Sequence, residues 1–255
     1  MYHRNRLLPP IFLLSGIFSN AVWAGICDSE VQQQQWLKKQ GYQQQKILTD
    51  CRVWPAEENT SLMAVAVLDA EAGEEWIGGY VLHLFKLQSQ DGKVVDQYKQ
   101  ADYFPTDAIR VDKISLDTAP YRVKPEIRAI GVRVNYEGAS RVFPYSSQTL
   151  NLYDLKNKQT LLDGLVVELY RGKNGTSCNS EWEEHKAIVL LPGTSTQGYA
   201  DLKIKLNIHY EGMEMYQDEC ADLPQRQKNT SFVVKFDGQA YRIPDGSKGS
   251  YYYGK

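Results

Sequence analysis

The chain has 255 residues, 42% of them hydrophobic and 24% charged, with 29 basic and 31 acidic side chains and a formal net charge of −2. That length suffices for one large core or two smaller ones without help from cross-links. The near-balanced charge, without clustered Lys and Arg, argues against a phosphate-tracking surface, so no nucleic-acid partner is expected.

The chain opens on Arg4 and Arg6, then a twelve-residue apolar stretch from Leu7 to Phe18, a short polar segment and Val22-Trp23-Ala24. This is the layout of a secretory signal peptide, and cleavage is expected after Ala24. The stretch is shorter than the roughly 20 residues a membrane span requires, and Pro9 and Pro10 make it a poor permanent helix. No later stretch reaches membrane length, so no transmembrane span is expected after cleavage. A lipid anchor at Cys27 is disfavoured because Ile26 stands where a small residue is usual. Without the leader, 27 basic side chains face 31 acidic ones, a net of −4.

The four cysteines, Cys27, Cys51, Cys178 and Cys220, all follow the cleavage point. An even count in an exported chain reads as two disulfides. Of three connectivities, the local one (Cys27–Cys51 with Cys178–Cys220) is expected. Loop entropy assigns those bridges about 3.5 and 4 kcal/mol. No pair has the spacing of a zinc knuckle or a redox Cys-x-x-Cys, so no metal or other cofactor is expected.

One helix is expected directly after the leader. Asp28 or Ser29 caps it, Ser29-Glu-Val-Gln32 fits a capping box, and Gly41 stops it. From Gln44 onward the pattern turns to strands. Candidates are Met63–Leu68, Tyr80–Leu87, Arg128–Val134, Thr149–Leu155, Leu165–Leu169, Ala187–Leu191 and Phe232–Phe236. The clearest is Leu202–Tyr210, with Leu202, Ile204, Leu206, Ile208 and Tyr210 on one face and Lys203, Lys205, Asn207 and His209 on the other. Asp91-Gly92 and Asp237-Gly238 read as tight hairpin turns. The fold class is therefore all-β and mainly antiparallel, either a sandwich or a propeller-like stack of hairpins, with one short N-terminal helix. Residues 25–255 read as a single β-rich domain, with a subdivision near 172–178 as the alternative.

Six strings recur in an order that carries a resemblance: Cys51-Arg-Val-Trp-Pro55, Leu116-Asp-Thr-Ala-Pro-Tyr-Arg-Val123, Ile127-Arg-Ala-Ile-Gly-Val-Arg133, Leu150-Asn-Leu-Tyr153, Leu162-Asp-Gly-Leu165 and Gly198-Tyr-Ala-Asp-Leu202. Together they resemble a family of uncharacterised exported proteins of Gram-negative proteobacteria. The resemblance implies a periplasmic or secreted protein and carries over no site residue.

No nucleophile elbow, zinc-protease helix, phosphate loop or EF-hand loop occurs. His209 lies on the polar face of its strand, and His83 in an apolar one. Two acidic groups remain as candidate sites. One is Glu181-Trp182-Glu183-Glu184-His185, where carboxylates could hold a protonated imidazole or contribute to a metal site; a solvated loop is its plain reading. The other is Asp69, Glu71, Glu74 and Glu75 beside Trp76; paired carboxylates at a suitable separation run glycoside hydrolysis. Seventeen tyrosines, with Tyr251-Tyr252-Tyr253 near the end, suit interfaces and sugar-binding surfaces as well as cross-strand packing. The expected function is a non-enzymatic binding or interaction module of the bacterial envelope, with inhibitor or immunity proteins as concrete forms. Its partner would be an envelope or extracellular protein or glycan. An envelope-polysaccharide hydrolase and a structural envelope protein are the alternatives.

Overall fold

A computed structural model of the protein describes residues 25–70, 78–175 and 178–248. Residues 1–24, where the signal peptide is expected, residues 71–77 and the tyrosine triplet lie outside the described residues.

The described chain begins with a 3-10 turn, Ile26–Asp28, and helix α1, Glu30–Lys39. Ser29 Oγ accepts a hydrogen bond from the Gln32 amide at 3.3 Å. At the other end Gly41 takes φ of +89°. The Tyr42 amide then reaches back to the Leu37 carbonyl at 3.0 Å and the Gly41 amide to the Lys38 carbonyl at 3.1 Å. This paired closure is the Schellman stop that the glycine predicted. Trp36 and Leu37 are the buried side chains of α1. Covering them is worth about 1.5–3 kcal/mol each.

The first sheet is an antiparallel meander of β1 (Ile47–Val53), β2 (Thr60–Ala70), β3 (Gly78–Gln88) and β4 (Val94–Thr106). The chain continues through β5 (Ile109–Asp117), β6 (Arg122–Lys124), β7 (Ile127–Arg128), β8 (Ile130–Gly138) and β9 (Tyr145–Asp154). Next come β10 (Gln159–Asn174), β11 (Ser180–Leu190), β12 (Ser195–Thr196) and β13 (Tyr199–Ala200). The last four are β14 (Leu202–Tyr216), β15 (Glu219–Asp222), β16 (Arg226–Phe236) and β17 (Tyr241–Arg242). A nine-stranded sheet runs β17-β16-β14-β11-β10-β9-β8-β5, with β15 also paired to β14. The pairs β6–β7 and β12–β13 form separate two-stranded ribbons.

Every named pairing is antiparallel, and both sheets stay open rather than closing into barrels or repeating as propeller blades. The all-β sandwich expected from the alternation is the architecture present. One face of the first sheet carries α1, with Met63, Val65, Phe85 and Leu87 packed against Ile26, Trp36 and Leu37. Its other face packs on β5, β8 and β9 through Leu62, Leu82, Leu84, Phe104, Ile114, Val132, Val134 and Tyr153. A further core gathers Leu150, Leu152, Leu165, Val167, Ile204, Val234 and Phe236, with Val123, Ile127 and Tyr199 brought in by the two ribbons. Leu152 and Tyr153 are neighbours on β9 and so point to opposite faces. The large sheet therefore holds one core on each side.

Several local details differ from the sequence reading. The strand placed at Arg128–Val134 is broken, with Arg128 ending β7 and β8 starting at Ile130. Neither Asp-Gly pair supplies both central residues of a primed turn. Gln88 and Lys93 bracket a four-residue loop, whereas beyond the Phe236–Tyr241 pair the Asp237 amide donates to the Ala240 carbonyl at 3.0 Å and closes a tight hairpin around Gly238-Gln239. Only the glycines take positive φ, +68° at Gly92 and +107° at Gly238. The aspartates act through their carboxylates instead, Asp91 accepting from the Lys93 amide and Asp237 from those of Gln239 and Ala240. Gly172 to Asn174, read as a linker, are the last residues of β10 and pair with Ser180–Trp182 of β11.

Candidate functional site

Beyond the second core the large sheet extends into an arm. The β10–β11 hairpin forms one side and the β14–β15 hairpin the other, and β11 pairs with β14 without interruption from Ser180 to Leu190. Cys178 at one tip is bonded to Cys220 at the other, with Cα atoms 5.3 Å apart. Cys27 pairs with Cys51, Cα atoms 5.2 Å apart, joining the N-terminal turn to β1. The local connectivity is thus the one formed.

The acidic segment Glu181–His185 is part of β11 and not a loop. Strand alternation splits it. Glu181, Glu183 and His185 share one face, and Trp182 and Glu184 the other. Across the sheet Glu183 sits opposite Arg171 on one side and Tyr210 on the other. His185 lies between Leu169 and Ile208. The Arg171 guanidinium donates from Nε to one oxygen of Glu183 at 2.8 Å, and its Nη2 lies 2.7 Å from the same oxygen as an ion pair. His185 Nε2 meets the other oxygen. Burial pushes the Glu183 carboxyl up, but the Arg171 and His185 contacts outweigh it and hold it below its ordinary range. A general acid for glycoside cleavage needs the opposite shift.

These side chains line an open groove of about 600 Å³, with Arg171, Lys173, Glu181, Glu183, Tyr210 and Arg226 along its walls. The Arg226 guanidinium lies 5.3 Å from the Tyr210 ring centroid. Gly212 faces Glu181, and a Cβ there would come within 2.9 Å of the Ser180 carbonyl and 3.0 Å of Leu223. The glycine lets Leu223 and the β11 backbone approach β14 closely at that end of the groove. Trp182 lies over Gly172, where an added Cβ would meet its ring at 2.4 Å, and its Nε1–H donates to Asn174 Oδ1 at 3.2 Å. Glu184 pairs with Lys186 at 2.7 Å.

Of the second acidic group, Asp69 is exposed near the end of β2, opposite Gly79. Glu71, Glu74, Glu75 and Trp76 lie outside the described residues. His209 Nε2 is 2.9 Å from Glu211. His83 stacks on Phe85, and its Nδ1 lies 3.2 Å from the Tyr42 hydroxyl. Burial and then the Lys99 charge lower its pKa, which favours the neutral imidazole. It opens onto a cleft of about 610 Å³ shared with Gln97, Tyr98, Lys99 and Lys158. Among the described residues no three His, Cys, Asp or Glu side chains are grouped to hold a metal ion. No helix among them is long and apolar enough to cross a membrane.

The sequence reading does not mark Arg171, Tyr210 or Arg226 as site residues, although it places Tyr210 on the apolar face of its strand. Arg171 continues the alternation of Leu165, Val167 and Leu169, and Tyr210 that of Ile204, Leu206 and Ile208, so the shared face was implicit in the spacing. Their adjacency was not, because it depends on β11 lying between β10 and β14. No family model, curated protein or solved structure matches the chain.

Proposed function

We propose that this chain is an exported, non-enzymatic interaction module of the bacterial envelope that engages a partner through the groove on its cross-linked arm. The observation that carries this reading is the paired carboxylate at the centre of that groove. Glu183 is satisfied by Arg171 and His185, which leaves the Tyr210–Arg226 pair, Lys173, Glu181 and Glu211 at the walls for contact. Tyrosine and arginine are the side chains that dominate contact energy at protein interfaces. Two disulfides support passage through an oxidising compartment, which is where an envelope partner would be met. An inhibitor or immunity-type protein is one concrete form of such a module. Hydrolysis of envelope polysaccharide finds less support here, since Glu183 is held ionised rather than as an acid.

Photo-cross-linking tests the reading. A photoreactive residue at Lys173, introduced into the full chain in intact cells, is expected to give a discrete adduct. Adding Tyr210→Ala and Arg226→Glu should reduce its yield about tenfold or more, as loss of central contacts does. An adduct indifferent to both substitutions, or glycan release abolished by Glu183→Gln, overturns it.

A further inference from the structure

The large sheet ends on an unfinished edge. β16 pairs with β14 along its whole inner side, from Arg226 opposite Tyr210 to Val234 opposite Leu202. On its outer side β17 pairs only with Lys235 and Phe236. Among the described residues, the nine from Arg226 to Val234 have no backbone partner on that side. The strand has no proline, and its pairing to β14 shows no bulge, two of the devices that blunt such an edge, while its lysines are a third.

Its charge is one-sided. Arg226-Gln-Lys-Asn-Thr-Ser-Phe-Val-Val-Lys-Phe236 contains three cations and no acid, in a chain whose net charge is −2. Lys203 and Lys205 on β14 face Val233 and Ser231 and extend the positive field inward. These charges repel a like edge and attract an acidic one. The pattern along the strand is also graded. Alternation puts Arg226, Lys228, Thr230, Phe232 and Val234 on one face, cationic at its start and apolar at its end.

We propose that the outer edge of β16 receives an extended acidic segment of a partner protein by strand addition. Such a segment would complete the hydrogen bonds of the edge while its side chains alternate against those of β16. An antiparallel partner would carry apolar residues opposite Val234 and Phe232 and carboxylates opposite Lys228 and Arg226. This surface shares Arg226 with the groove but differs from it in chemistry, since it rests on backbone pairing.

The probe is the peptide Val-Thr-Val-Thr-Thr-Thr-Glu-Thr-Glu, titrated into the full mature chain. Saturable binding is expected, with amide exchange slowed in residues 226–234. Lys228→Glu should weaken it about tenfold, and replacing both peptide glutamates by lysine should do the same. Peptide N-methylation at alternate residues should abolish binding for one set of positions and spare the other, because only one set faces the edge. Lys228 lines no wall of the groove, so its substitution leaves the photo-adduct at Lys173 unchanged if the two surfaces are independent. Three results overturn the proposal. These are equal binding of a scrambled acidic peptide, protection confined to residues outside 226–234, and an edge already protected in the free protein by its own last residues or a second copy.

Discussion

Six short strings read from the sequence as a resemblance, and the structure puts a joint at each. Trp54 lies under the Arg128 guanidinium, 4.7 Å from ring centroid to Cζ. Asp117 Oδ2 accepts from the Tyr121 hydroxyl and from Arg133 Nε, each at 2.8 Å, while Oδ1 accepts from the Ala119 amide at 3.0 Å. Gly131 stands beside this cluster, where a Cβ would meet Asp117 at 2.8 Å. Asn151 Oδ1 accepts from the Gly164 amide at 2.8 Å, and Gly164 has φ of +78°. Asp201 is buried and accepts from the hydroxyls of Thr194 and Thr196, each at 2.7 Å. The strings are therefore legible as architecture, and their silence about chemistry has a physical reason. Burial raises the Asp117 pKa, but the amide, Arg133 and Tyr121 contacts outweigh it, so the carboxyl stays below its usual range. A depressed carboxylate stabilises the fold above its unfolded pKa of about 3.9 and loses that contribution as pH falls through the folded value. Urea midpoints measured from neutral to acid pH should show this loss. Asp117→Asn should cost about 2 kcal/mol at neutral pH and flatten the acid limb.

At the scale of elements, turn chemistry was read in the wrong places for a definite reason. Asp-Gly pairs signal a primed turn, yet Asp91-Gly92 sits in a four-residue loop and Asp237 flanks the central pair Gly238-Gln239 instead of entering it. A two-residue turn with positive φ at both centres belongs to Gln217-Asp218 between β14 and β15, where Tyr216 pairs with Glu219. Both central residues have positive φ, 49° and 64°. Neither residue type announces that conformation, which L side chains adopt at a cost of about 1 kcal/mol each. Tertiary restraint from the Cys178–Cys220 bridge, two residues away in sequence, holds the hairpin in register. Replacing Gln217-Asp218 by Asn-Gly is expected to raise stability by about 1 kcal/mol, read from thermal denaturation. The strands themselves were more legible than the turns. Period-two alternation located β14, which buries one face, whereas β2, β3 and β9 bury residues on both faces and stood out as apolar runs. It missed the full reach of β10 and β11, whose outer halves carry charge on both faces.

For the whole molecule the decisive element is β9. Leu150 and Leu152 enter one core, while Tyr153 enters the other and donates from its hydroxyl to Gln100 Oε1 at 2.7 Å. The first sheet and the β10–β17 half thus share a strand that neither can lose. Cooperative unfolding as one unit follows, and calorimetry should record a single transition whose van't Hoff and calorimetric enthalpies agree. Leu152→Ala should cost about 2–5 kcal/mol and move that transition as a whole, and two separable transitions would contradict the shared strand. No sequence pattern reveals such sharing, since Leu152 and Tyr153 look like any alternating pair. Only the stacking of the first sheet on β5, β8 and β9 makes their opposite directions matter.

The two disulfides join cysteines that are consecutive along the chain, 24 and 42 residues apart. A polypeptide threaded N-terminus first into an oxidising space presents Cys51 to Cys27 before Cys178 has arrived. It then presents Cys220 to Cys178 when the first pair is already consumed. Order of arrival alone therefore yields the native bonds, and a simple oxidant suffices where crossed pairings would call for a shuffling catalyst.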